Sequence, residues 1–325
     1  MVSSNSLQNP LIPAADPFVF FHRGSYYLSG THTHHSLEVW HAPRLEQIAT
    51  SRVTIWTPGP GEPAHQIWSP SFFLLPYQGT RHWFVYFTAS IDDTNEGHRI
   101  YVLQSQGEDP LGPYTFQGQL RGTGEAAAID ASVLRIDDKY YMVYVLTGKA
   151  NTLSIAPLSD PLTISGPPRL LTEPDQSWEQ GAGSGQSDYP VSEGPEALYH
   201  DGKTFLLYSG SDTGNFNYCL GMLAYSSGDP LDRNSWIKRG PVFQFSHANG
   251  VFGPGRATFT TSPGGKQSWM VYHAKTSSAY TYDGRSTRAQ PFSWNVDGTP
   301  HFGEPVSLQM ILEAPSDDSI VDLTK

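Results

Sequence analysis

The sequence predicts an all-β protein: one five-bladed β-propeller that takes up residues 1–325 as a single domain. Three observations predict it. A strand–turn–strand unit recurs five times, a second landmark recurs later in the units, and helical periodicity is nearly absent.

The units open at Asp16 (DPFVFFHRGSYYLSG), Ser69 (SPSFFLLPYQGTRHWFVYF), Asp130 (DASVLRIDDKYYMVYV), Glu193 (EGPEALYHDGKTFLLYSG) and Gly253 (GPGRATFTTSPGGKQSWMVYH). Val, Phe and Tyr dominate the strands, and Arg-Gly, Asp-Asp, Asp-Gly or Gly-Gly separates them, which is hairpin chemistry. Asp109-Pro110-Leu111, Asp160-Pro161-Leu162 and Asp229-Pro230-Leu231 each close a later segment of strand character. Ala42-Pro43-Arg44-Leu45 holds the matching place in the first unit. Proline there suits an edge strand or outer turn, where no ladder N–H is needed. Units of about 50–60 residues are long enough for four-stranded blades. The Gly/Ser-rich stretch Thr172–Val191 reads as a long rim loop rather than a linker.

Composition narrows the function. The 325 residues carry 20 Lys+Arg against 31 Asp+Glu, net −11, without a basic run, so neither nucleic acid nor an anionic membrane surface is expected as partner. The single cysteine, Cys219, excludes an intramolecular disulfide framework and any multi-thiolate metal site. No apolar run is long enough to span a bilayer. As written, the N-terminus has no charged n-region and no apolar h-region; it reads as cytoplasmic, or as secreted if a leader has been removed. Oligomeric state leaves no mark in the sequence.

In a propeller the first strand of each blade lines the axis, so the residues opening the units converge there: Asp16, Trp68-Ser69, Asp130, Glu193 and Gly253. Three acids at one phase of the repeat would face one another across a narrow pit. Crowding raises at least one pKa, and a protonated acid opposite an ionised one is what hydrolysis of a glycosidic bond requires. Trp68 could stack on a sugar face. The competing readings are turn chemistry for Asp16-Pro17 and Asp130, and Glu196 as a rival acid that strand alternation turns to the opposite face from Glu193. His32-Thr33-His34-His35 reads as a polar pocket rim rather than a zinc site, since no His-x3-His helix accompanies it.

The motifs Ala15-Asp16-Pro17-Phe18, Ile67-Trp68-Ser69-Pro70, Ile129-Asp130-Ala131-Ser132 and Ser192-Glu193-Gly194-Pro195 resemble the signature of glycoside hydrolase family 43. Gly253-Pro254-Gly255, Tyr272-His273-Ala274, Gly284-Arg285 and Gln290-Pro291 match in order, so the resemblance runs from about Asn9 to Pro305. Stretches such as Asp109–Phe116, Tyr218–Leu223 and Arg288–Gly303 look like its α-L-arabinofuranosidase branch. The resemblance implies an inverting hydrolase with Asp16 as general base, Glu193 as general acid and Asp130 as the residue that positions Glu193 and raises its pKa. It implies that Arg285 orients Asp130 and contacts sugar hydroxyls, with Arg288 the competing choice. It also implies that His273 reaches a calcium ion on the axis, held otherwise by water. One departure stands out. Arg256 follows Gly253-Pro254-Gly255 where the pattern continues with histidine, and a permanent cation disfavours a nearby metal.

The expected activity is exo-acting release of terminal L-arabinose from arabinan, arabinoxylan or their oligosaccharides, with plant cell-wall polysaccharide as the partner. An endo-arabinanase or β-xylosidase on the same fold is the alternative within the class. A non-catalytic carbohydrate-binding propeller is the alternative outside it, and it would have no use for the acid trio.

Overall fold

The computed structural model describes residues 5–316. Five antiparallel sheets follow one another along the chain as the blades of a propeller. Their inner strands are Ala15–His22, His65–Tyr77, Ala128–Ile136, Ser192–His200 and Phe252–Thr261. Blades 1, 2, 4 and 5 have four strands, and blade 3 has a fifth, Arg169–Thr172. Each hairpin forms where its turn was expected: Arg23, Gln78, Asp137 and Asp201 adopt positive φ next to their turns.

The Asp-Pro-Leu landmark has a simple cause. Asp109, Asp160 and Asp229 each accept a hydrogen bond on Oδ1 from the backbone N–H two residues on, at 2.8–3.0 Å. This Asx turn carries the chain out of the third strand toward the outer edge.

Hydrophobic burial lies between the blades, one cluster per interface. Phe18, Phe72 and Trp83 join blades 1 and 2, and Phe84, Tyr86 and Tyr144 join blades 2 and 3. Leu153 and Tyr208 join blades 3 and 4, Met222 and Tyr272 join blades 4 and 5, and Trp269 and Tyr26 close blade 5 on blade 1. The N-terminus reinforces the closure. Ser6–Gln8 pairs with Ile311–Glu313, and Asn9 exchanges side-chain hydrogen bonds of 2.8 and 2.9 Å with the backbone of Ala289.

The five inner strands share one irregularity, which organises the centre. Each carries a bulge of one extra residue against its neighbour, after Ala15, Trp68, Ile129, Glu193 and Gly255. The next residue in each, Asp16, Ser69, Asp130, Gly194 and Arg256, has φ between 48° and 59°. Four of these are not glycine, at a cost of about 1 kcal/mol each. The adjoining blade holds each bulge by capturing the exposed N–H. Thr31 Oγ1 accepts from Ser69 at 3.0 Å, Thr88 Oγ1 from Asp130 at 3.1 Å, Ser209 Oγ from Arg256 at 2.8 Å, and His273 Nδ1 from Asp16 at 3.1 Å. The equivalent position in blade 3 is Val145, which has no acceptor. There the carboxylate of Asp130 takes over and accepts from Gly194 N–H at 3.0 Å.

This register corrects the phase expected for the acids. Asp16 and Asp130 are equivalent, but their counterparts in blades 4 and 5 are Gly194 and Arg256, not Glu193 and Gly253. Glu193 lies one residue earlier, equivalent to Ala15, Trp68, Ile129 and Gly255. The prolines carry the true alignment, since Pro17, Pro70 and Pro195 all directly follow the bulged residue.

Candidate active site

The bulges aim side chains from several blades into the axial end of the disc. Asp16 is fixed by Thr31, whose Oγ1 donates to Oδ2 at 2.7 Å, and by Arg285, whose Nη1 donates to Oδ1 at 3.3 Å. Burial alone would raise this carboxyl, but the Arg285 charge, the His273 ring at 3.3 Å and the Thr31 hydrogen bond hold it well below the usual carboxylate range. Arg285 enters from a loop of blade 5, anchored by Nε donating to Tyr282 O at 2.9 Å. It therefore pairs with Asp16, and not with Asp130 as the sequence suggested.

Glu193, set one residue before its bulge, accepts from Tyr218 OH on Oε1 and from Asn151 Nδ2 on Oε2, both at 2.9 Å. Burial, followed by the charge of Asp130, pushes its carboxyl up to about 8, against the pull of those two donors. Asp130 bonds to the Gly194 N–H and so fixes the backbone beside Glu193. Burial raises Asp130 as well; Arg256 opposes it, the Asp16 charge adds to it, and hydrogen bonds from Ser69 and Gly194 offset a further part, so the carboxyl stays above its ordinary value.

Glycine is required at two points here. At Gly194, φ is +59° and an added Cβ would lie 2.5 Å from Arg256 Cδ, so the arginine crosses the space a side chain would fill. At Gly255 a Cβ would strike the Tyr218 ring at 2.2 Å, so that glycine lets Tyr218 reach Glu193.

Trp68 joins the rim. Its Nε1 donates to His34 Nδ1 at 3.0 Å and its ring lies 4.2 Å from that of His98. His32 turns away to Glu38 at 2.6 Å, so the histidine cluster is divided between separate partners. Glu196 lies further along the axial wall, where burial raises it to about 7 and Ser132 Oγ donates to it at 2.9 Å.

Arg288 does not reach this group. It is 0% exposed, and its Nη2 donates to Ala274 O at 3.4 Å. It pairs with Tyr272, on the strand face packed against blade 4, whereas Thr287 and His273 occupy the face toward blade 1. Strand alternation is the reason: Arg285 precedes the strand, and Arg288 lies inside it on the core side.

His273 also departs from expectation. Its Nδ1 lone pair is engaged by the Asp16 N–H, in the role that Thr31, Thr88 and Ser209 play elsewhere. Burial lowers its pKa to about 4, so the ring is neutral; Nδ1 also lies 3.3 Å from Asp16 Oδ1, and Nε2 lies 3.5 Å from Thr213 Oγ1. Asp16 takes up Nδ1 from both its N–H and its carboxylate side, which leaves Nε2 as the one ring nitrogen that could face a cation.

Tyr218 and Asn151 were not singled out as site residues in the sequence. Both lie in loops with no periodic pattern, and only the three-dimensional approach to Glu193 marks them.

The description Glycosyl hydrolases family 43 matches residues 7–300. An extracellular exo-α-(1→5)-L-arabinofuranosidase of Streptomyces avermitilis is 36% identical over 94% of this chain and 64% of its own length. α-L-Arabinofuranosidase 43 of Humicola insolens is 31% identical over 93% of this chain, again across 64% of its own length. The chain thus spans a little under two thirds of these two relatives. Among solved structures, an α-L-arabinofuranosidase from Lactobacillus brevis has a TM-score of 0.84 and 33% identity, covering 94% of this chain and 98% of that one. With five bulged blades, buried carboxyls converging at the axis and a match along nearly the whole described chain, this protein belongs to glycosyl hydrolases family 43.

Proposed function

We propose that the protein is an inverting, exo-acting α-L-arabinofuranosidase that releases terminal L-arabinose from arabinan, arabinoxylan or their oligosaccharides. The observation that carries this reading is a pair of half-buried carboxyls in opposite surroundings, Asp16 beside the Arg285 guanidinium and Glu193 beside Asp130. Glu193 keeps its proton to about pH 8, while Asp16 is held ionised by Arg285.

In this reading Glu193 donates its proton to the departing glycosidic oxygen. Asp16 takes a proton from a water that attacks the anomeric carbon from the opposite face. The bond from carbon to water oxygen forms as the glycosidic bond breaks, and the configuration inverts. Asp130 fixes the backbone beside Glu193 and supplies the negative field that keeps the acid protonated. Trp68 contributes an apolar face at the rim.

Exo action is supported by a rim tied together across the loops. Gln186 Nε2 bonds to Ser278 O at 2.8 Å, joining the blade 3–4 loop to the blade 5 loop. Tyr280 OH bonds to Asp212 Oδ2 at 3.1 Å beside it. The names of the relatives agree with arabinofuranoside as substrate.

The test is a comparison of aryl α-L-arabinofuranoside with aryl β-D-xyloside, followed by product analysis on linear arabinan. The reading expects preference for the arabinoside and arabinose monomer from the first time point. A xyloside preference, or oligosaccharides appearing before the monomer, would overturn the substrate or the exo assignment. Glu193→Gln should lose turnover of unactivated arabinosides; unchanged turnover removes Glu193 from the acid role.

A further inference from the structure

We propose that the guanidinium of Arg256 is the permanent cation of the propeller centre, standing where a metal ion would otherwise be held and keeping Asp130 charged beside Glu193. The register of the bulges places it there. Arg256 is the fifth-blade equivalent of Asp16 and Asp130, with φ of 50° like theirs of 49° and 56°. Its side chain is 1% exposed and runs across Gly194, the fourth-blade equivalent. A charge this deeply buried, at a backbone conformation that costs stability, persists only where opposite charge surrounds it.

The groups that face Arg256 come from four blades: Asp16, Asp130, Glu196 with Tyr218, and His273. Its Nε and Nη1 are buried without a hydrogen-bond partner, so Arg256 acts on these carboxyls through the weakly screening interior rather than as a clamped pair. The charges of the centre already balance. Arg285 answers Asp16, Arg256 answers Asp130, and burial favours the neutral forms of Glu193 and Glu196. A divalent ion would add two positive charges with no carboxylate left to meet them. Arg256 is thus a positioning residue that acts through Asp130. The inference rests on the acid role of Glu193 only for its effect on rate.

Two arms test it. In the first, protein exhaustively treated with EDTA is titrated with calcium chloride by calorimetry and thermal melting. No saturable heat and no change in Tm or turnover is expected. Calcium binding that raises Tm or restores lost turnover overturns the proposal. In the second, Arg256→Met and Arg256→Lys are compared with the parent by pH profiles of kcat/KM. Without the cation Asp130 must ionise unaided, so the acid limb of Arg256→Met moves up by about one pH unit or more. Arg256→Lys keeps a limb within a few tenths of the parent, because the charge remains. An unmoved limb in a folded Arg256→Met, or an equally displaced limb in Arg256→Lys, overturns the proposal. If Arg256→Met does not fold, the Lys variant and the calcium arm still decide. If instead the acid role of Glu193 is wrong, Glu193→Gln keeps its turnover while the calcium arm still gives its own answer.

Discussion

Glu193 has a cost in stability that can be measured separately from catalysis. Its carboxyl moves from an ordinary 4.5 to about 8 in the folded protein, chiefly through burial. The shift of about 3.5 units, at about 1.36 kcal/mol each, sets a ceiling near 5 kcal/mol. The sign follows from the direction of the shift. A carboxyl that holds its proton more tightly when folded contributes fully below its unfolded pKa, and that contribution is lost as pH rises through about 8. Glu193→Gln removes the titration. Its amide must still meet Tyr218 OH and Asn151 Nδ2, and a mismatch with the Asn151 donor adds a penalty that does not vary with pH. The slope is therefore the readout, not the offset. Urea unfolding of both proteins from about pH 4 to about pH 9 should show Glu193→Gln gaining up to about 5 kcal/mol on the parent across that range, then levelling. A difference that stays constant with pH would refute the claim that Glu193 is held protonated by its surroundings.

Three further outcomes concern rate. Asp16→Asn should lower kcat by about 10²–10⁴-fold even with an activated aryl leaving group, because the water still lacks its base; steady-state kinetics on both substrate types checks this. Tyr218→Phe removes a donor that favours ionised Glu193, so the alkaline limb of kcat/KM should rise by about one pH unit. In the parent enzyme that limb should fall near pH 8, through loss of the Glu193 proton, and Glu193→Gln should show no such limb in its residual turnover of activated substrates.

The blades were legible because their determinants are local. Turn chemistry at Arg23-Gly24 or Asp201-Gly202, aromatic strands and Asx turns at Asp109, Asp160 and Asp229 are each written within a few residues. Asp16, Asp130 and Glu193 were legible as a set, since all three border a bulge, although the expected phase was one residue off for Glu193 and three for the fifth blade. A bulge inserts one residue and shifts the alternation beyond it, so a period-two reading carried across it goes out of phase; the prolines after Asp16, Ser69 and Gly194 are its visible trace. The choice between Arg285 and Arg288 depended on where the last blade's third strand begins, a boundary that sequence fixes poorly. Tyr218 and Asn151 reach Glu193 from loops whose course depends on packing against other blades, notably the seat that Gly255 leaves for the Tyr218 ring. His273 read as a metal approach because its motif matches; the structure places its Nδ1 on the Asp16 N–H at the bulge, a role visible only once the four equivalent captures are compared.

The division of labour between Asp16 and Glu193 is tested most directly by the anomer formed first. Proton NMR of an aryl α-L-arabinofuranoside, recorded within the first turnovers and before mutarotation, should show β-L-arabinofuranose appearing ahead of its α form. An α-anomer appearing first would mean a covalent intermediate, and would contradict Asp16 as the base that activates water.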